Sequence, residues 1–224
     1  MQLIDYVSLT GSSAEEVVLD DEGTGSVVYL SDRRGNAISD LTIQGGSAND
    51  GGGIYSYNSN PILENLVIKD NVVSDEGGGI GFYSCDGPVV DNVILTNNTC
   101  QDRGGGLYAY NSVLSVTGAT FQGNDAGWSG GGIGLYDSEV YLASTSINNN
   151  SATEGGGVWS YNGSTVHYDS LQRPSIFLNQ AETGYDLWTD AIMQVVVDTF
   201  TVLYPKSQHA YPLYNYTFDI LHGM

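Results

Sequence analysis

The sequence predicts an all-β fold, a single-stranded parallel β-helix (solenoid) with about 26 residues and three short strands per coil. Three observations predict it. A triple glycine followed by an aliphatic residue occurs five times, starting at Gly51, Gly77, Gly104, Gly130 and Gly155, so the spacings are 26, 27, 26 and 25 residues. An apolar residue followed three places on by Asn stands five or six residues ahead of the next glycine mark: Ile68 with Asn71, Leu95 with Asn98, Phe121 with Asn124, Ile147 with Asn150, Ile176 with Asn179. Between these marks short apolar runs alternate with period two, as Ile80 and Phe82 do, and no helical stripe competes.

Composition agrees. Gly and Asn belong to turns and Val, Ile, Thr and Tyr to strands, whereas the Lys and Arg that fill helix surfaces number only 6. Against 26 acids they leave a net charge of −20. Nucleic acid and anionic membranes are therefore not expected partners, because each phosphate contact wants a Lys or Arg. No apolar run approaches the roughly 20 residues of a membrane-spanning helix, so membrane insertion is not expected. The opening MQLIDYVSLT has neither a basic nor a long apolar region, so no signal peptide is read there.

Taken in order, residues 1–50 form degenerate coils, with strands at Val17–Leu19 and Val27–Leu30 and a faint repeat copy at Leu41–Ile43 before Gly45 and Gly46. Arg33 and Arg34 lie in the loop between Leu30 and Ile38. The regular coils span about 51–184. Each begins at a glycine triplet and buries one strand of the Ile54 and Ser56 kind, one around Leu63, and one from Leu66 to Ile68. Such a unit cannot bury its own inner face, but stacked at about 4.8 Å on its neighbours it makes a continuous core. Asn at a fixed turn then stacks into an amide ladder, and the glycines permit φ > 0 and close approach. The β-helix is thus expected over 1–190. Beyond Trp188 the punctuation stops, and Val195–Val197, Phe200–Leu203 and Tyr216–Ile220 read as longer strands, with a Pro205–Pro212 loop. Residues 191–224 are either a cap on the open core or the start of a following domain that was cut away.

The alternation of GGG[ILV] with [ILF]xxN resembles the GGA[ILV] and FxxN repeats of the chlamydial polymorphic outer-membrane protein family, with Gly where that family often has Ala. More broadly it resembles the right-handed parallel β-helix domains of bacterial surface and secreted proteins, over about residues 25–190. The resemblance implies a right-handed coil and an extracellular or cell-surface location in a bacterium. It also implies adhesion, since those relatives are mostly adhesins or autotransporter passengers.

Six residues after the first glycine of each triplet stands a tyrosine: Tyr57, Tyr83, Tyr110, Tyr136 and Tyr161. Two places earlier the residues are Tyr55, Gly81, Tyr108, Gly134 and Trp159. If Ile54 and its counterparts point inward, both offsets point outward, and stacking aligns the rings along one face. Sugar rings or an aromatic-rich partner would dock on such a face; a purely structural ring stack is the alternative. The candidate binding residues are therefore Tyr55, Tyr57, Tyr83, Tyr108, Tyr110, Tyr136, Trp159 and Tyr161. The expected function is a non-catalytic extracellular or cell-surface module for adhesion, glycan binding or self-assembly, its partner a polysaccharide, a protein surface or another copy.

Acids collect ahead of the glycine marks at Asp50, Asp75, Glu76, Asp102, Glu154 and Glu182. In a stack they repel, and either a solvated edge or bound Ca²⁺ answers that repulsion, with Asp75, Glu76, Asp102 and Glu154 as candidate ligands. No other cofactor is expected. The alternative function is a polysaccharide lyase, epimerase or hydrolase on the same scaffold. Lys69 with Asp70 is its nearest approach to a charged pair, and Asp91 with Asp137 its nearest to paired carboxylates; no residue is assigned a catalytic role. Cys85 and Cys100 read as a disulfide or as two inert thiols, and His167, His209 and His222 are not spaced as metal ligands.

Overall fold

The computed structural model describes residues 1–190 and the backbone strands Met193–Asp198, Ala210–Tyr211 and Tyr216–Leu221. Among the described strands every pairing is parallel, and each strand pairs with the strand about one repeat away. Three long sheets wrap one core. The first holds eight strands, running from Val28–Ser31 through Ile54–Tyr57, Ile80–Tyr83, Leu107–Tyr110, Ile133–Tyr136, Val158–Tyr161 and Leu187–Thr189 to Ala210–Tyr211. The second runs from Ser8–Thr10 to Thr165–Tyr168 and the third from Val18–Asp20 to Ser175–Phe177, with seven strands each. The three strands expected per coil are present. A fourth, two-residue segment joins them in four coils: Ser47–Ala48, Val72–Val73, Thr99–Cys100 and Asp125–Ala126.

The core follows from the register. Paired positions place Val28, Ile54, Ile80, Leu107, Ile133 and Val158 in one buried column. Ile38, Leu63, Val90, Val116 and Leu142 form a second, and Ile43, Ile68, Leu95, Phe121 and Ile147 a third. Like residues therefore bury like residues, which is how a coil too small for its own core acquires one.

The glycine triplets divide their work. Gly77 sits at φ 71°, in the left-handed region that disfavours a side chain. Gly78 and Gly79 are needed for space instead, because a Cβ on them would lie 2.4 and 2.5 Å from the carbonyl oxygens of Gly105 and Gly106. The other corners use short polar residues in the same left-handed conformation: Asn58, Ser84, Asn111, Asp137 and Asn162 each follow a ladder tyrosine.

Two polar ladders run inside the coil. Each Asn side chain donates Nδ2–H to the Oδ1 of the next: Asn71 to Asn98 at 2.9 Å, then Asn98 to Asn124, Asn124 to Asn150 and Asn150 to Asn179 at 3.0 Å. Asp186 ends the series, accepting from Asn179 at 3.0 Å where a further Asn would stand. The second ladder was not foreseen. Ser112 Oγ accepts the amide of Cys85 at 2.9 Å, Ser138 that of Ser112 and Ser164 that of Ser138, both at 3.0 Å. Cys85 takes the serine's place in its own coil, with Sγ 3.4 Å from the Tyr83 carbonyl. Cys100 is buried in a separate small cluster with Val73 and Ala126, so the two thiols are not bonded.

Of the expected C-terminal strands, Val195–Val197 falls within Met193–Asp198 and Tyr216–Ile220 within Tyr216–Leu221, and these two strands pair in parallel. Phe200–Leu203 lies outside the described residues, as do His209 and His222.

Candidate functional site

The aromatic residues gather on the first sheet, where register fixes their order. Tyr57, Tyr83, Tyr110, Tyr136 and Tyr161 occupy paired positions on five successive strands. Tyr29 and Tyr55 are paired in the same way at the other outward offset, and so are Trp159 and Trp188. Tyr29 and Trp188 had not been singled out, although each directly follows an inward aliphatic residue, as Tyr55 does.

The two offsets differ in exposure. Tyr57, Tyr110 and Tyr161 are 42%, 44% and 38% exposed, whereas Tyr108 and Trp159 are 1% and 5% exposed. Tyr108 and Trp159 therefore do not present a wetted surface, contrary to the expectation for that offset. Pointing out of a sheet is not the same as reaching solvent: Tyr83, Glu76 and Arg103 lie against Tyr108, and Tyr161, Trp188 and Arg103 against Trp159. Tyr55 is half-buried and stacks on Tyr29 at 4.9 Å with an interplanar angle of 7°.

Tyr83 leaves its column. Its partner two residues back is Gly81, and a Cβ there would lie 2.8 Å from Tyr83 Cε2. The ring lies back over that glycine, stacked on Tyr55 at 5.2 Å and tilted by 55° against Tyr108 at 5.9 Å. Its hydroxyl is buried near Asp50 with no partner at hydrogen-bond distance, and burial pushes the phenol pKa far up. Tyr136 remains in the outer column, 5.5 Å from Tyr110 and 5.6 Å from Tyr161, and is partly covered.

Asp75, Glu76 and Asp102 come together, with ligand oxygens within 4.8 Å of one another. Glu154 does not join them, since the backbone bridges Arg103 to Ser129 and only then Ser129 to Glu154, two coils away. The counter-charge in the cluster is Arg103. Its Nη1 donates to Glu76 at 2.8 Å and approaches Asp102 at 3.1 Å, while the guanidinium lies 5.4 Å from the Trp128 ring centre and 5.5 Å from that of Trp159. Arg103 is one of only 6 bases in the chain and was assigned no role from the sequence. It immediately follows Asp102, one coil beyond Glu76, and that spacing was the available signal. Burial raises the carboxyl pKa of Asp50, Glu76 and Asp102; the Glu76 rise is opposed by Arg103.

Of the two suspected catalytic pairs, one forms and the other does not. Lys69 and Asp70 form a pair at 3.7 Å with both side chains well exposed. Asp137 precedes the second-sheet strand Glu139–Ala143, whereas Asp91 is in register with Thr117 and hence Ala143 at its far end. The strand Glu139–Ala143 alone spans about 13 Å, beyond the roughly 5–9.5 Å at which glycosidase carboxylates work. His167 stacks on Tyr141 at 4.2 Å, with Glu139 3.4 Å from its Nε2.

A family model described as a right-handed β-helix region matches residues 5–171. No curated protein and no solved structure matches the chain.

Proposed function

We propose, from the premise that this chain belongs to the right-handed β-helix family, that it is a non-catalytic module whose first-sheet face binds glycan outside the cell or at its surface. The observation that carries this is the register of Tyr57, Tyr110 and Tyr161: three exposed phenols on one face, on every second coil. Beside them runs a row of left-handed corner residues, of which Asn58, Asn111, Asp137 and Asn162 are exposed. Rings that cover the apolar face of a sugar, next to amides and carboxylates that meet its hydroxyls, are the two kinds of group that glycan recognition combines. The net charge of −20 favours neutral over anionic polysaccharides.

The test is retention of the protein on insoluble polysaccharides and on a glycan array, comparing wild type with a Tyr57→Ala, Tyr110→Ala, Tyr161→Ala triple variant. The proposal expects retention by wild type and its loss in the variant. Release of unsaturated or reducing-end products from any polysaccharide would replace the binding module by an enzyme.

A further inference from the structure

The outer tyrosine column lacks one rung. Tyr57, Tyr83 and Tyr110 are paired on three adjacent strands, so the backbones of Tyr57 and Tyr110 are two strand spacings apart, about 9.6 Å. The Tyr83 ring belongs between them by register but lies back over Gly81, stacked on Tyr55 and tilted against Tyr108. Among the described residues no ring contact joins Tyr57 to another aromatic side chain, and the one ring stacked on Tyr110 is Tyr136, on the coil away from the opening. Tyr57 and Tyr110 are thus two exposed walls with an opening one coil wide between them.

The width selects the occupant. A ring centred midway sits about 4.8 Å from each wall, inside the 4.5–7 Å range over which rings stack. The corner residues at the three levels are Asn58, Ser84 and Asn111; Asn58 Nδ2 already donates to Asp32 at 2.7 Å, so Asn58 offers its Oδ1, and Asn111 Nδ2 reaches Ser84 Oγ only at 3.4 Å. A purely aromatic guest would leave those polar groups unused, whereas sugar hydroxyls would pair with them.

We infer that this opening is a slot for one neutral pyranose ring, held between Tyr57 and Tyr110 with its hydroxyls on Asn58, Ser84 and Asn111. The inference rests on the glycan reading above and names the subsite. Gly81 is the residue that creates it, because a Cβ there would lie 2.8 Å from Tyr83 Cε2 and only a residue without one lets Tyr83 fold away.

Isothermal titration of the full chain with cellopentaose, chitopentaose and mannopentaose tests it, with circular dichroism confirming the fold of each variant. At least one of the three binds wild type. Tyr57→Ala and Tyr110→Ala each weaken that binding by about tenfold or more, and Tyr141→Ala, at an exposed tyrosine of the second sheet, leaves it within about twofold. Gly81→Ala drives the Tyr83 ring outward into the slot, so binding is lost with both walls intact. Because Tyr57 and Tyr110 are exposed, their variants remain informative if Gly81→Ala does not fold. Binding that survives both wall substitutions overturns the slot and leaves the broader glycan reading standing. If none of the three sugars binds while the array retains the protein on other glycans, the slot again fails alone; if no glycan binds in either assay, both fail. A slot that takes p-cresol in preference to every sugar refutes the pyranose as its occupant.

Discussion

Replacing Asn124 by Ala removes four hydrogen bonds from the centre of the core. Nδ2 donates to Asn150 Oδ1 at 3.0 Å and to the Leu95 carbonyl at 2.9 Å, while Oδ1 accepts from Asn98 Nδ2 at 3.0 Å and from the Asn98 amide at 3.1 Å. At about 1 kcal/mol net per bond the loss is about 4 kcal/mol, and for a chain of this size that lowers the melting midpoint by roughly 8–16 °C. Asn71 is the internal control. Its Nδ2 reaches the Ile43 carbonyl only at 3.5 Å and its Oδ1 accepts the Gly46 amide, so fewer good bonds are at stake and about 2–3 kcal/mol should be lost. Asn124→Asp should be worse than Ala, because a carboxylate would face Asn150 Oδ1 and the Leu95 carbonyl with no proton to give. Urea unfolding followed by circular dichroism reads all three, with the denaturant slope unchanged if only stability is altered. A loss below about 1 kcal/mol at Asn124, or one no larger than that of the exposed Asn92→Ala, refutes the ladder as a source of stability.

Three further outcomes follow from the acidic residues. Arg103→Gln leaves Glu76 and Asp102 without their cation and should cost about 2–4 kcal/mol, reduced from the fully buried case by partial exposure. Added Ca²⁺ should raise the melting temperature of that variant more than that of wild type, since three carboxylates then converge unopposed. The carboxyls of Asp50, Glu76 and Asp102 have folded pKa values raised above their unfolded ones, so the folded state binds more protons and stability falls as pH rises through that window. Melting temperature should therefore rise on acidification from about pH 7 to about pH 5. Well below that it should fall, because the carboxyls of Asp20 and Asp169 are lowered by hydrogen bonds and lose them on protonation. A flat or inverted profile between neutrality and pH 5 contradicts this assignment.

The coil and its period were legible because a solenoid writes one structural position into the text many times over. Five glycine triplets and five Asn marks each repeat a single local requirement, and the inward residues Ile80, Phe82, Val90 and Leu95 are all buried. The serine ladder was equally repetitive, as Tyr-x-Ser at Ser59, Ser112 and Ser138, but Cys85 and the inserted Gly163 before Ser164 broke the pattern. Exposure was not legible. Alternation gives the direction of a side chain, not what covers it, so Tyr108 and Trp159 are buried although they point out of their sheet. The displacement of Tyr83 turns on its contact with Gly81, and the role of Arg103 on a meeting of two coils. Both are properties of particular neighbours, which a repeat pattern averages away.

The stacking register is tested most directly by disulfide trapping on the third sheet, where Lys69, Thr96 and Gln122 occupy paired positions on three successive strands. Cysteine pairs at 69 and 96, or at 96 and 122, should oxidise readily, because adjacent parallel strands hold their Cα atoms about 4.8 Å apart, within disulfide reach. The pair at 69 and 122, about 9.6 Å apart, should remain reduced under the same conditions. Bond formation between 69 and 122, or none between 96 and 122, would contradict the coil register.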